Sequence, residues 1–258
     1  MISVHDLHKH YGQRTVLDGI SLSFPERRLT SLIGPNGAGK STLLLMIGRL
    51  LEASAGEVRL AGQPIQRIAS NAYARRVATL RQATELNLRL RVEELVEFGR
   101  FPYCGGRLHA DDHRAVDQAI AFLGLDSLRQ RYVDELSGGQ RQMALLGMTI
   151  AQETDYLLLD EPLNNLDMRH AVQIMRALRR LCDERGCTVL LVVHDINFAA
   201  SYSDHIVALK AGRVHCAGSV AEVVTETRLR ALYELDFAIS YSARGPLCNY
   251  FNPPRDLS

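Results

Sequence analysis

Eight consecutive residues, Gly34-Pro35-Asn36-Gly37-Ala38-Gly39-Lys40-Ser41, carry the clearest chemistry in the sequence. They fit G-x-x-x-x-G-K-[ST], in which glycines let backbone N–H groups turn toward a phosphate. In that pattern Lys40 neutralises the β- and γ-phosphates of a nucleotide and the Ser41 hydroxyl ligates Mg²⁺. The loop needs a strand before it and a helix after it. Leu29–Ile33 is a short apolar run entering the loop, and Thr42–Arg49 reads as a helix whose positive end faces the anion. A second apolar run, Tyr156–Leu159, ends in Asp160-Glu161, at the carboxyl end of a strand, where ligands collect in open α/β sheets. Asp160 is expected to hold Mg²⁺ through water and Glu161 to polarise the attacking water. MgATP binding and hydrolysis are the reading these residues support.

Leu136-Ser137-Gly138-Gly139-Gln140 precede an amphipathic helix and make a second anion-facing helix start, this one without a lysine. One chain then carries two phosphate-facing surfaces. The simplest use of both is a head-to-tail dimer, in which Ser137 and Gly139 of each copy cap ATP held in the loop of the other.

The elements that position these residues alternate. Ile20, Leu22 and Phe24 have the period of a half-buried strand, and Gly56–Leu60 and Val77–Leu80 read as further short strands. Val4–Tyr11, with His5, His8 and His10, reads as an edge strand with a polar outer face rather than a metal site. Val92, Leu95 and Val96 share a helical face, with Phe101-Pro102 ending that helix. Asp111-Asp112 opens another, its stripe running from Ala115 to Leu123 before Gly124. After Tyr156–Leu159 come a helix around Arg169–Cys182, strand Thr188–Val193, a helix from about Ile196 and strand Ile206–Leu209. Past residue 218 only a short helix, Val220–Val224, is legible. Strands separated by helices imply a largely parallel sheet.

Composition narrows the class. The 258 residues carry 30 Lys plus Arg against 29 Asp plus Glu, a net charge of +1 that gives no general basic field for nucleic acid. No apolar run reaches the ~18 residues a bilayer span needs. The first residues lack the basic-then-apolar order of a signal peptide. Five scattered cysteines without a C-x-x-C pair suit reduced thiols in the cytoplasm.

Taken together, these motifs resemble those of ATP-binding-cassette (ABC) ATPases, in order, over about residues 2–220. The resemblance implies a P-loop NTPase (RecA-like) core with an antiparallel β subdomain and an inserted α-helical subdomain. Its parts fall at 1–86 (core, first part, with the β subdomain), 87–150 (helical signature-motif subdomain) and 151–258 (core, second part, and tail). Tyr11 matches the aromatic that stacks on adenine, and Pro35, Asn36, Ala38 and Thr42 fall with the loop glycines in the nucleotide site. Gln82 matches the glutamine that contacts Mg²⁺ and the attacking water, His194 the γ-phosphate histidine, and Asp167 the carboxylate that touches the opposite protomer. Glu161, His194 and Gln82 are the expected catalytic set.

A single cassette without a membrane span implies a separate ATPase subunit, peripheral on the cytoplasmic face of the membrane. Its expected partners are a second copy, integral permease subunits and, indirectly, an extracytoplasmic substrate-binding protein, with no nucleic acid. The stretches Val92–Pro102 and Glu161–His170 resemble iron–siderophore importer ATPases most closely. Importers of haem, cobalamin or another metal chelate are the near alternatives, and a non-transport cassette protein of repair or translation the remoter one. Met143 and Met148 depart from the commoner cassette pattern, which has arginines there. Ionic contacts are then missing, or methionine simply fills the core.

Overall fold

The computed structural model describes residues 1–81, 89–242 and 245–251, so the expectation for Gln82 falls outside the described residues. The chain opens with two long antiparallel strands, β1 (Ile2–Tyr11) and β2 (Arg14–Phe24). The wholly buried β3 (Leu29–Ile33) then enters the glycine loop, and α1 (Lys40–Ile47) leaves it. Next, β4 (Ala55–Leu60) and the short β5 (Gln63–Pro64) rejoin the first pair in a four-stranded sheet ordered β2-β1-β4-β5. The strand bearing His5, His8 and His10 is therefore not an edge: both β2 and β4 pair with it, antiparallel. Ile2, Val4 and Leu7 are fully buried, which draws β1 over a core, while His5 and His10 stay exposed as the polar pattern requires.

After α2 (Ser70–Ala74) and β6 (Val77–Leu80), the chain becomes helical: α3 (Val92–Glu97), α4 (Phe101–Cys104), α5 (Ala110–Leu123) and α6 (Gly138–Ala151). Phe101-Pro102 does not end a helix here. Phe98–Arg100 is a 3-10 turn that leads directly into α4. A proline in the first turn of a helix gives up no intrahelical hydrogen bond, and the stop comes instead at left-handed Gly105. Asp112 opens α5 by accepting the His109 N–H at 3.0 Å, and Gly124 closes it, as the sequence predicts.

Alternation then resumes with β7 (Tyr156–Asp160), α7 (Met168–Arg185), β8 (Thr188–Val192), α8 (Ile196–Tyr202), β9 (His205–Lys210) and β10 (Arg213–Ser219). Two short helices, α9 (Val220–Val223) and α10 (Glu226–Tyr233), and the hairpin of β11 (Ala238–Ser242) with β12 (Gly245–Asn249) complete the described chain. The main sheet is ordered β10-β9-β3-β8-β7-β6, parallel except for β10. Along β7, Leu157 and Leu159 enter the apolar cluster shared with the helical segment, while Tyr156 and Leu158 enter the one shared with α1 and the four-stranded sheet. Both faces are covered, which is why this strand reads as an unbroken apolar run. The fold is a P-loop NTPase core with an antiparallel β subdomain and an α-helical insertion.

One buried ion pair fastens the helical segment. Arg100 Nε donates to Asp112 Oδ1 at 2.9 Å, and Nη1 donates to the Ala151 carbonyl at 2.7 Å and to Glu153 at 2.8 Å. The side chains of Arg100 and Asp112 are 5% and 6% exposed. Removing one partner strands the other charge away from water. Arg100→Ala is expected to cost about 3 kcal/mol in urea unfolding, and adding Asp112→Ala to recover part of it.

Candidate active site

Strand order assembles the site. Because β3, β8 and β7 are neighbours, the glycine loop after Ile33, His194 just past β8 and Asp160-Glu161 at the end of β7 emerge side by side. The loop itself can be built only from glycine at key points. A Cβ on Gly34 (φ 136°) would lie 2.0 Å from the Leu209 carbonyl oxygen. One on Gly39 (φ 99°) would meet Leu17 Cδ2 at 2.5 Å and the Val16 carbonyl at 2.9 Å.

Lys40 opens α1, and its Nζ donates to the Gly34 and Pro35 carbonyls at 2.7 and 3.0 Å, inside the loop. Burial pushes the Lys40 ammonium pKa down, against the nearby charges of Glu161 and Asp160. Ser41 Oγ donates to Asp160 Oδ1 at 2.7 Å. Burial also raises the pKa of Asp160; the Ser41 hydrogen bond opposes that rise and the charge of Glu161 adds to it. Glu161 Oε1 lies 2.7 Å from His194 Nε2, and its other oxygen accepts from the Asn164 amide. Tyr11, 53% exposed, shares an open cleft of about 350 Å³ with Arg14, Val16, Asn36–Thr42 and Glu161. Lys9 Nζ stands 5.0 Å from the Tyr11 ring centroid.

Ser137-Gly138-Gly139-Gln140 are not part of that cleft. Ser137 caps α6, its Oγ accepting the Gln140 N–H at 3.3 Å while Gln140 Oε1 accepts the Ser137 N–H at 3.1 Å. Ser137 and Gln140 border a separate cavity of about 490 Å³, against Arg169 and His170 of α7. Asp167 caps α7, accepting the His170 backbone N–H at 2.8 Å and lying 2.9 Å from its Nδ1. Those two hydrogen bonds, the backbone one foremost, hold the Asp167 carboxyl below the usual range. Met143 and Met148 pack into the apolar cluster, so the departure from arginine leaves no unmatched charge.

Three contributors escape a reading by motif. Asn164 meets Glu161 within its own loop. Tyr233, on α10, presents its hydroxyl to the Gly34 N–H at 3.2 Å. Asn197, early in α8, exchanges hydrogen bonds of 2.7 and 3.2 Å with the backbone of Cys248 in the terminal hairpin. Asn164 meets a partner in its own loop, whereas the other two contacts join segments far apart in sequence.

A nucleotide-phosphate loop, a paired carboxylate end and a serine-glycine helix start on this fold define an ABC-type ATPase. The family model described as ABC transporter matches residues 17–164, and the chain belongs to that family. It is 46% identical over 239 residues to the petrobactin import ATP-binding protein YclP of Bacillus subtilis (strain 168), covering 93% of this chain and 95% of that protein. It is 39% identical over 251 residues to the iron(3+)-hydroxamate import ATP-binding protein FhuC of the same organism, covering 96% and 93%. The dimeric structure of MJ0796, a bacterial ABC transporter cassette, matches with a TM-score of 0.76 at 28% identity, covering 85% of this chain and 99% of that one. The chain binds and hydrolyses ATP as other members of the family do.

Gly34→Ala drives a methyl group into the Leu209 carbonyl and strains the backbone. It is expected to cost at least about 1–3 kcal/mol in urea unfolding and to abolish binding of a fluorescent ATP analogue.

Proposed function

We propose that two copies of this chain sandwich two ATP molecules head to tail and drive an importer permease that takes up an iron–siderophore complex. The observation that carries this reading is the separation of the two anion-facing surfaces. The loop, Lys40 and Glu161 share one cleft, and Ser137 and Gln140 line another cavity. A second copy brings one to the other. The names of the relatives, petrobactin and iron(3+)-hydroxamate import proteins, support an iron chelate as cargo.

Ser41 Oγ and Asp160 Oδ1 are neighbouring hard oxygens that would hold Mg²⁺, Asp160 through water. When bound, that ion neutralises charge on the phosphates. Lys40 binds the β- and γ-phosphates, and Tyr11 offers a ring to the adenine. Glu161, held by His194 and Asn164, takes a proton from the attacking water, and His194 also contacts the γ-phosphate. Gln82 would reach the same ion and water. Asp167 with Ser137, Gly138, Gly139 and Gln140 acts on the nucleotide of the partner copy.

Among the described residues no helix is long and apolar enough to cross a membrane. Attachment at the cytoplasmic face of the membrane would run through the permease. A groove of about 350 Å³ between Leu90, Glu94, Phe98, Phe101 and Leu108, with Phe98 and Phe101 52% and 62% exposed, is where a permease helix would dock. An extracytoplasmic binding protein would deliver the chelate to that permease.

Glu161→Gln is expected to slow phosphate release by about 10²-fold or more while ATP still binds; wild-type turnover would remove Glu161 from its role. Ser137→Arg is expected to block ATP-dependent dimerisation, read by analytical ultracentrifugation, and to spare ATP binding by the monomer. Deleting the gene is expected to abolish growth on ferric siderophores as sole iron source, and normal growth would redirect the cargo assignment.

A further inference from the structure

We propose that His170 is a positioning residue that locks the two surfaces of a protomer aimed at its partner, Asp167 and the Ser137–Gly139 turn, into one rigid piece. This rests on the sandwich-dimer reading above. The His170 ring is fixed from one side by Asp167, whose carboxylate accepts both the backbone N–H of His170 and its Nδ1–H. On its other side the ring lies against the backbone of Gly139. A Cβ placed on Gly139 would fall 2.2 Å from His170 Cγ and 2.5 Å from Cδ2 and Nδ1. Real carbons do not approach so closely, so the ring occupies the space any side chain at 139 would need.

The neighbouring glycine gives the contrast. A Cβ on Gly138 would meet nothing within 4 Å. Gly138 is thus unconstrained from within its own protomer, whereas Gly139 is glycine because of His170. The ring also cannot yield cheaply: swinging away from position 139 pulls Nδ1 off Asp167. Asp167 and Gly139 belong to different segments, α7 and α6, whose starts otherwise border the 490 Å³ cavity. His170 is the wedge that sets their separation there. A nucleotide pulling on the Ser137 turn therefore also moves the Asp167 carboxylate. Two contacts separated in sequence reach the partner in fixed register.

The test is a double-mutant cycle in full-length chain carrying Glu161→Gln, with ATP-dependent dimerisation read by analytical ultracentrifugation and ATP affinity of the monomer read by a fluorescent analogue. His170→Ala is expected to weaken dimerisation on the order of tenfold, with monomer affinity unchanged. Gly139→Ala is expected to weaken it further, because its methyl group must expel the ring. The double variant should dimerise more strongly than Gly139→Ala alone, since the atoms the methyl group strikes within the protomer are gone. Effects that multiply instead would overturn the proposal, as would a drop in monomer ATP affinity equal to the drop in dimerisation. A parent that fails to dimerise with ATP sinks the sandwich reading and this inference with it. A parent that dimerises with an additive cycle sinks the inference alone. Because the rescue compares two variants that share Gly139→Ala, a general folding defect from that substitution cannot mimic it.

Discussion

Burying the Lys40 ammonium, which is only 5% exposed, requires polar partners in place of water, and the arrangement of the site follows from supplying them. The first partners are carbonyls of its own loop, Gly34 and Pro35, so the loop must curl back over the helix start. That curl presses Gly34 against Leu209 and Gly39 against Leu17, and only glycine leaves room. The next compensation is electrostatic, from Asp160 and Glu161, which the β3-β8-β7 order sets across from the loop. Asp160 is itself buried and bound to Ser41, so cation and carboxylates lie close together at the floor of the cleft. A nucleotide phosphate fits that space because it brings negative charge to the Lys40 ammonium.

Much of this was legible in the sequence because the relevant signals are local. The loop glycines, the apolar runs of β3, β7 and β8, and the carboxylates ending β7 all sit within a few residues of one another. What stayed hidden depends on pairing at a distance. Nothing in Val4–Tyr11 distinguishes an edge strand from one flanked on both sides, because the outer face of β1 is polar in either arrangement. Pro102 is permissive at a helix start and prohibitive inside a helix, and the difference lies in the 3-10 turn before it. The terminal hairpin, whose strand β11 is mostly exposed, shows little apolar alternation, and its anchor, Asn197 to Cys248, is a polar contact that no periodicity reports.

That hairpin and α10 give the tail a physical place. Tyr233 meets the first residue of the glycine loop, while Asn197, three residues past His194, is clamped to β12. Lys210 closes the base by donating to the Ala231 carbonyl at 2.6 Å and to Glu234 at 2.8 Å. The two strand ends that bear Gly34 and His194 are thereby braced from outside the sheet. The link of the helical segment to the core helices includes the His170 ring against Gly139.

Glu161 shows what such fastening accomplishes. Its backbone is left-handed, at φ 50°, a conformation that costs a non-glycine residue on the order of 1–2 kcal/mol. A glycine there would relieve the strain but remove the carboxylate. The conformation persists because both carboxylate oxygens are gripped, one by His194 and the other by Asn164, and because β7 behind it is buried along its length. The turn redirects the chain just after Asp160, so that consecutive carboxylates serve different ends: Asp160 points into the loop at Ser41, and Glu161 spans from the cleft to His194. Two adjacent acids on an extended strand would face opposite sides of the sheet. The strained turn brings both to the same side, and the sequence pair Asp160-Glu161 becomes one site only through it.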